Sequence, residues 1–243
     1  MVHNLGFKCN RGVVRKNNED SCFVIPTKNV YIVADGVGGN SSGEIASSTA
    51  VEVIADCVKN GNLLDCRTPE EIFGFLIEAI DAANSSIIRK SIDVMQNRGM
   101  ATTVVLAYIY EGAAYIANVG DSRAYRFRNG TLKQITRDHT YVNELLESGE
   151  ITPQEAENHA QKNVITRALG TERGVDPDFF KVALAPDDIL LLCTDGLYGE
   201  VREDIMTELM NAYGDMNDLC AALVEEAIKA GGHDNITVIC KKI

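Results

Sequence analysis

The sequence predicts an α+β protein in which two antiparallel sheets pack face to face and helices cover their outer sides. Short apolar runs joined by tight turns, and one-faced helical segments grouped between blocks of strands, lead to that reading. A third observation agrees: the 243-residue chain has neither a Pro/Gly/Ser-rich linker nor an internal repeat, so one domain over residues 1–243 is the simpler organisation.

The β-like runs fall at 5–11, 20–25, 30–34, 102–110, 113–119, 123–128, 131–135, 179–183, 189–193 and 236–241. Asn129-Gly130 between two of them is a hairpin signal, because a type I′ turn needs positive φ at both central positions. Glu111-Gly112 joins another pair as tightly. Such connections require antiparallel neighbours, since parallel strands need a crossover, and this excludes a doubly wound nucleotide-binding sheet. After the third run, Ala46, Ala50, Val53 and Cys57 recur at helical spacing. A second helix opens on Thr68-Pro69-Glu70-Glu71, a capping box with proline at the first helical position. It sets Ile72, Leu76, Ile80, Ala83 and Ile87 on one face. Further helices are expected at 204–212 and 217–230, the latter ended by Gly231-Gly232. Residues 138–162 are polar, lack a strand pattern and repeat the capping-box signature at Thr152-Pro153-Gln154-Glu155. They read as a surface excursion with short helices of its own, placed as a flap.

At 45% hydrophobic and 24% charged residues, the composition provides a core of useful size. The net charge of −12 argues against nucleic acid or an anionic membrane as the main partner, since both need clustered Lys and Arg. The seven Cys include no CxxC and several sit inside apolar runs. They read as reduced, buried thiols acting as small hydrophobes, and not as a disulfide framework or zinc site. Neither a signal-length apolar stretch at the N-terminus nor a membrane-spanning one occurs, so the expected location is the cytoplasm.

Carboxylates stand at the ends of several apolar runs. Residues 31–34 lead into Asp35-Gly36 and residues 189–194 into Asp195-Gly196. Asp121 lies between two runs, while Glu19-Asp20 and Asp234 precede others. In antiparallel packing the end of one strand lies beside the start of its neighbour, so these acids can collect at one sheet edge. Hard divalent cations take such oxygen clusters, and a Gly beside an Asp lets a backbone carbonyl join. Two cations about 3.5–4 Å apart can activate a bridging water and clamp a phosphoryl oxygen. The same Asp-Gly pairs also fit plain turns, and spacing alone does not separate the two readings.

The stretch from Gly36 to Gly39 precedes a helix and could cradle phosphate, but G-x-G-x-x-G fails at Ser41 and no Lys completes a P-loop. A tight turn with close backbone packing fits equally. Arg15, four residues before Glu19, suits a phosphate dianion through paired hydrogen bonds, or else neutralises Glu19 or Asp20 at the surface. The histidines at 3, 139, 159 and 233 show no metal-ligand spacing, and a solvent-facing loop position is expected for His233.

In chain order the pieces are Arg15-x-x-Asn18-Glu19-Asp20, Asp35-Gly36-Val37-Gly38-Gly39, Gly43-Glu44, Ala101-Thr102-Thr103 and Gly120-Asp121-Ser122-Arg123. Asp138-His139, residues 163–170, Thr194-Asp195-Gly196-Leu197 and residues 234–238 follow. This ordered set spans nearly the whole chain and resembles the type 2C, metal-dependent (PPM) family of serine/threonine protein phosphatases in its compact bacterial form. The resemblance implies a four-layer αββα sandwich with a dinuclear manganese or magnesium centre at one edge. It implies that Asp35 bridges the metals, that Gly36 offers its carbonyl, and that Asp195 and Asp234 ligate one metal. Glu19, through water, and Asp20 would support the site, and Asp121 with Asp195 would hold a weaker third cation. Arg15 would bind the phosphate, Asp35 and Arg15 being the catalytic pair. A metal-bridging hydroxide would attack phosphorus directly, and residues 138–163 would form a mobile flap. The implied substrates are phosphoserine and phosphothreonine on proteins, opposite a cognate kinase, with the phosphatase acting as a monomer.

Two positions depart from the family pattern. Val37 stands where many eukaryotic relatives carry a histidine proposed as general acid, and Ala101 replaces a usual glycine. A regulatory member without activity would be expected to lack a ligand acid, and all are present here. A two-metal nuclease is disfavoured by the acidic balance and the lack of a basic stripe.

Overall fold

The computed structural model describes residues 2–39, 42–171 and 173–243. Its strands in chain order are β1 (Leu5–Asn10), β2 (Asp20–Ile25), β3 (Val30–Val37), β4 (Ala101–Thr102), β5 (Val104–Tyr110), β6 (Ala113–Val119), β7 (Arg123–Arg128), β8 (Thr131–Gln134), β9 (Asp178–Ala183), β10 (Ile189–Cys193) and β11 (Ile236–Lys242). Its α-helices are α1 (Ser42–Asn60), α2 (Pro69–Asp93), α3 (Tyr141–Ser148), α4 (Pro153–Glu157), α5 (Asp195–Tyr198), α6 (Glu203–Ala212) and α7 (Met216–Ala230). One sheet runs β1-β11-β10-β7-β8; the other runs β2-β3-β5-β6-β9, with β4 added beside β3.

The period-2 alternation of strand side chains builds the layers. On β3, Ile32 and Ala34 pack with Ile54 of α1 and Leu76 and Ile80 of α2. Tyr31 and Val33 point the other way, against Leu190, Leu192 and Ile239 of the second sheet. On β10, Leu191 and Cys193 meet Leu219 and Leu223 of α7. Strands buried on both faces read as unbroken apolar runs, which is why residues 189–193 show no polar alternation. The result is the expected αββα order.

Local chemistry is realised where the sequence signals it. Asn129 and Gly130 have φ of 50° and 76°, and Glu111 and Gly112 have 46° and 72°, as the two tight hairpins need. Both capping boxes form, at Thr68 with Glu71 and at Thr152 with Glu155. The polar excursion carries α3 and α4 and is closed at its base by a bridge between Thr140 and Ile165. No helix among the described residues is long and apolar enough to cross a membrane.

Other expectations need correction. β3 does not stop at Ala34 but continues through Asp35 and Gly36, which pairs with Thr102 of β4. A Cβ at Gly36 would lie 2.0 Å from the Gly43 carbonyl oxygen, so glycine is required by the close approach of α1, not by a turn. Asn40 and Ser41 of the glycine-rich stretch lie outside the described residues. Asp195-Gly196 is not a turn either, because it opens α5. The run 102–110 breaks at Thr103, whose N–H donates to the Asp35 carbonyl (2.9 Å). Cys66, Cys193, Cys220 and Cys240 are buried as expected, but Cys22 and Cys57 are half-buried and Cys9, on edge strand β1, is exposed.

The Thr68 cap anchors the start of α2 on one hydroxyl, which accepts from the Glu71 N–H. Thr68→Ala should lower stability by about 1 kcal/mol and the melting temperature by about 2–4 °C. Thermal unfolding checks this, with catalytic rates unchanged because α2 lies on the outer face of its sheet.

Candidate metal and phosphate site

Strand register brings the first acids together. Asp20 of β2 pairs with Asp35 of β3, so their side chains share one face of the sheet. The Asp35 backbone is held firmly: its N–H donates to Thr103 Oγ1 (3.0 Å), and its carbonyl accepts from Thr102 Oγ1 (2.8 Å). Thr103 Oγ1 also meets Ser122 Oγ (2.7 Å), which ties β3 to the corner that carries Asp121. These bonds leave the Asp35 carboxylate for other partners.

The opposite sheet supplies the rest. Asp195 follows β10, Asp234 precedes β11, and these strands are neighbours. Thr194 Oγ1 donates to Asp20 Oδ2 (2.9 Å) and accepts from the Thr237 N–H (3.0 Å), linking the sheets at this edge. Asn235 fixes the loop between β1 and β2. Its Nδ2 donates to the Arg11 and Asn17 carbonyls (2.9 Å each) and its Oδ1 accepts from the Glu19 N–H (2.7 Å). That loop presents Arg15, whose Nη2 donates to Asp234 Oδ2 at 2.6 Å. Arg15 is thus a partly exposed arginine whose direct hydrogen-bond partner is Asp234, while its charge also acts on Glu19.

Five carboxylates influence one another across this edge. Burial, then the charges of Asp20, Asp195, Asp121 and Asp234, push Asp35 well above the usual carboxylate range. Burial raises Asp20 in the same way, against the Thr194 hydrogen bond. Burial and the Asp234 charge raise Asp195. Asp121 is pushed up to about 7 by burial and by Asp195 and Asp138, with Arg123 opposing. Half-buried Glu19 is raised by burial, an effect that Arg15 offsets in part.

The side chains are not closed on a common point: among the described residues, no group of three or more His, Cys, Asp or Glu is already gathered around an ion-sized space. Repulsion between like charges favours that separation. The donors are nonetheless oxygen-only, as hard cations prefer. Asp195 Oδ1 is buried with no hydrogen-bond partner among the described residues, a state that costs about 1–3 kcal/mol unless a cation or proton satisfies it. The residues present therefore fit divalent cations.

A cleft of about 450 Å³ is lined by Asp121, Asp195 and Asp234 together with Val142, Leu146 and Lys162 of the excursion. Arg123 holds Asp138 by donating from Nε to Oδ1 and from Nη2 to Oδ2, and lies 3.5 Å over the Tyr198 ring. Tyr198 in turn donates to the Asp121 carbonyl (2.9 Å).

Sequence reasoning named Glu19, Asp20, Asp35, Asp121, Asp195 and Asp234 but missed the groups that hold them. Buried His139 accepts from the Gly120 N–H at Nδ1 (3.1 Å), which secures the corner at Asp121, and burial keeps its ring toward the neutral form. Asp138-His139 is one of the ordered motif pieces, but nothing in the pattern assigns the histidine this role. The signal for Asn235 was present, since it directly follows Asp234. His233 is exposed as expected and bonds Glu200 Oε1 (2.7 Å).

A family profile described as Protein phosphatase 2C matches residues 13–230. The serine/threonine phosphatase stp of Listeria monocytogenes is 41% identical over 236 residues, covering 96% of this chain and 93% of the relative. The crystal structure of serine/threonine phosphatase Stp1 from Staphylococcus aureus superposes with a TM-score of 0.90 at 33% identity, over 100% of this chain and 95% of that one. The catalytic domain of the phosphatase PstP in complex with two manganese ions gives 0.85 at 32% identity, over 99% and 98%.

Asp121 gives the pH dependence a sign. Its folded value near 7 exceeds the ordinary 3.8, so the folded state keeps a proton that the unfolded chain releases between those values. Its contribution to stability falls as pH rises through that window. In chelator, Asp121→Asn should therefore melt several degrees above the parent at pH 7.5 and approach it at pH 5.

Proposed function

This chain belongs to the protein phosphatase 2C family, and from that premise we propose that the carboxylates at the sheet edge hold its cations and that Arg15 holds the phosphate of its substrate. It is a metal-dependent serine/threonine protein phosphatase that uses two divalent cations, manganese or magnesium. When bound, the cations activate a water for in-line attack on phosphorus and neutralise charge on the phosphoryl oxygens. The observation that supports the site assignment is the gathering of five carboxylates at one sheet edge, where their charges act on Asp35, with one buried Asp195 oxygen unpartnered among the described residues.

Asp35, Asp195, Asp234 and the Gly36 carbonyl hold the cation pair. Asp20 supports them from the register-paired strand and Glu19 does so through water. Asp121 with Asp195 holds a weaker third cation. Arg15 binds Asp234 through one nitrogen, its only hydrogen bond among the described residues, so the rest of its planar fork is free to grip two phosphoryl oxygens. The Thr102, Thr103 and Asn235 bonds keep these groups in place before substrate arrives. Residues 138–163 act as a flap over the cleft, within a single catalytic domain of residues 1–243. The net charge of −12 disfavours nucleic acid and anionic membranes as partners, and the reading is completed by a cytoplasmic monomer that acts on phosphoproteins, including a cognate kinase.

Manganese should support phosphate release from a phosphothreonine peptide and chelator should stop it; absence of metal-dependent release would overturn the reading. Asp35→Asn should abolish turnover. Arg15→Ala should lower kcat/KM about 10–100-fold, mainly through KM, as loss of a hydrogen bond to a charged group worth about 1.5–3 kcal/mol implies. Steady-state kinetics of the two variants, with folding checked by circular dichroism, measure both effects.

A further inference from the structure

Cys9 and Cys22 lie on the edge strands of opposite sheets, yet their sulfurs are 3.1 Å apart. The expected use as buried hydrophobes fails for Cys9, which is exposed, and holds in part for Cys22, which is half-buried against the core between the sheets. A disulfide bond is about 2.05 Å long, so a closing movement of roughly 1 Å would join them. From the geometry we infer that Cys9 and Cys22 form a peroxide-sensitive thiol pair whose oxidation staples the two sheets at the base of the active-site loop.

The pair sits where it reaches the site. Cys9 is register-paired with Thr237, whose N–H donates to Thr194 Oγ1, and the same Thr194 oxygen donates to Asp20 Oδ2. Cys22 stands two residues beyond Asp20 on β2. The chain between the two cysteines contains Arg15 and Glu19. Its ends are already anchored by the Asn235 bonds, so a shift of β1 toward β2 is transmitted to the loop. The hydrogen bond from Cys22 also lowers the Cys9 thiol toward its thiolate, a larger effect than the desolvation of its sulfur by the adjoining strands.

The chemistry closes with hydrogen peroxide as oxidant. The Cys9 thiolate attacks one peroxide oxygen, an S–O bond forms as the O–O bond breaks, and the departing hydroxide takes the proton that Cys9 released, giving water. Cys22 then attacks the Cys9 sulfur of the sulfenic acid. The S–S bond forms, the S–O bond breaks, and hydroxide leaves with the Cys22 proton as a second water. The two sulfurs together lose two electrons and the peroxide gains them. A dithiol reverses the step by thiol–disulfide exchange.

The test treats the folded, full-length chain with hydrogen peroxide, quenches free thiols by alkylation and maps disulfide-linked peptides by mass spectrometry. A peptide joining Cys9 to Cys22, short of the mass of two hydrogens and lost on dithiothreitol treatment, is expected. Its absence, with Cys9 found only alkylated or over-oxidised, overturns the pair. That readout does not depend on the phosphatase reading. The activity arm does: kcat/KM on a phosphothreonine peptide should fall at least threefold on oxidation, recover with dithiothreitol, and stay constant in Cys9→Ser and Cys22→Ser. An equal fall in both variants, or a mapped disulfide with unchanged activity, overturns the link to the site.

Discussion

Like charges packed at one edge of a sandwich are the constraint on which the rest of this molecule depends. Asp20 and Asp35 face each other because β2 and β3 pair in that register, and Asp195 and Asp234 arrive from the other sheet. Isolated carboxylates in such a place would take up protons or move apart, because burial and mutual repulsion both penalise the charged form. The backbone prevents the second escape. Thr102 and Thr103 pin Asp35, Thr194 pins Asp20, and Asn235 pins the loop opposite Asp234. What remains is an acidic edge with a standing demand for positive charge, which the proposed cations and Arg15 would meet together.

The surrounding sandwich makes that edge rigid. Three apolar layers, one under each pair of helices and one between the sheets, bury nearly every side chain of β3, β10 and β11 up to the acids. The candidate ligands thus sit on well-anchored strand ends, and in the proposed reading adaptability falls to the excursion rooted by the Thr140–Ile165 bridge. Near the same acids, the Cys9 and Cys22 sulfurs lie close together, Cys9 exposed and Cys22 half-buried against the apolar layer between the sheets.

Most of the architecture was legible because it follows from local rules. Hairpins at Asn129-Gly130 and Glu111-Gly112, the boxes at Thr68 and Thr152, and unbroken apolar runs such as 189–193 each impose their own geometry. Strand order and the fate of the Asp-Gly pairs were not legible from pattern. Gly36 looks like a turn residue, but its role is set by Gly43, which only the packing of α1 brings near. The acids were legible as strand-end residues, and their ordered motifs pointed to a family. Their convergence was not legible, since it depends on pairings between residues as distant as Glu19 and Asn235. His139 shows the same limit: its partner Gly120 is fixed by tertiary contact alone.

The central claim is that buried, mutually repelling carboxylates hold protons until cations replace them. Calorimetric titration with manganese at pH 6.5, in buffers of different ionisation enthalpy, counts the protons exchanged on binding. Raised values for Asp35 and Asp121 predict net proton release, with Kd tightening as pH rises toward 8. Manganese binding with no proton release and an affinity independent of pH would contradict the account.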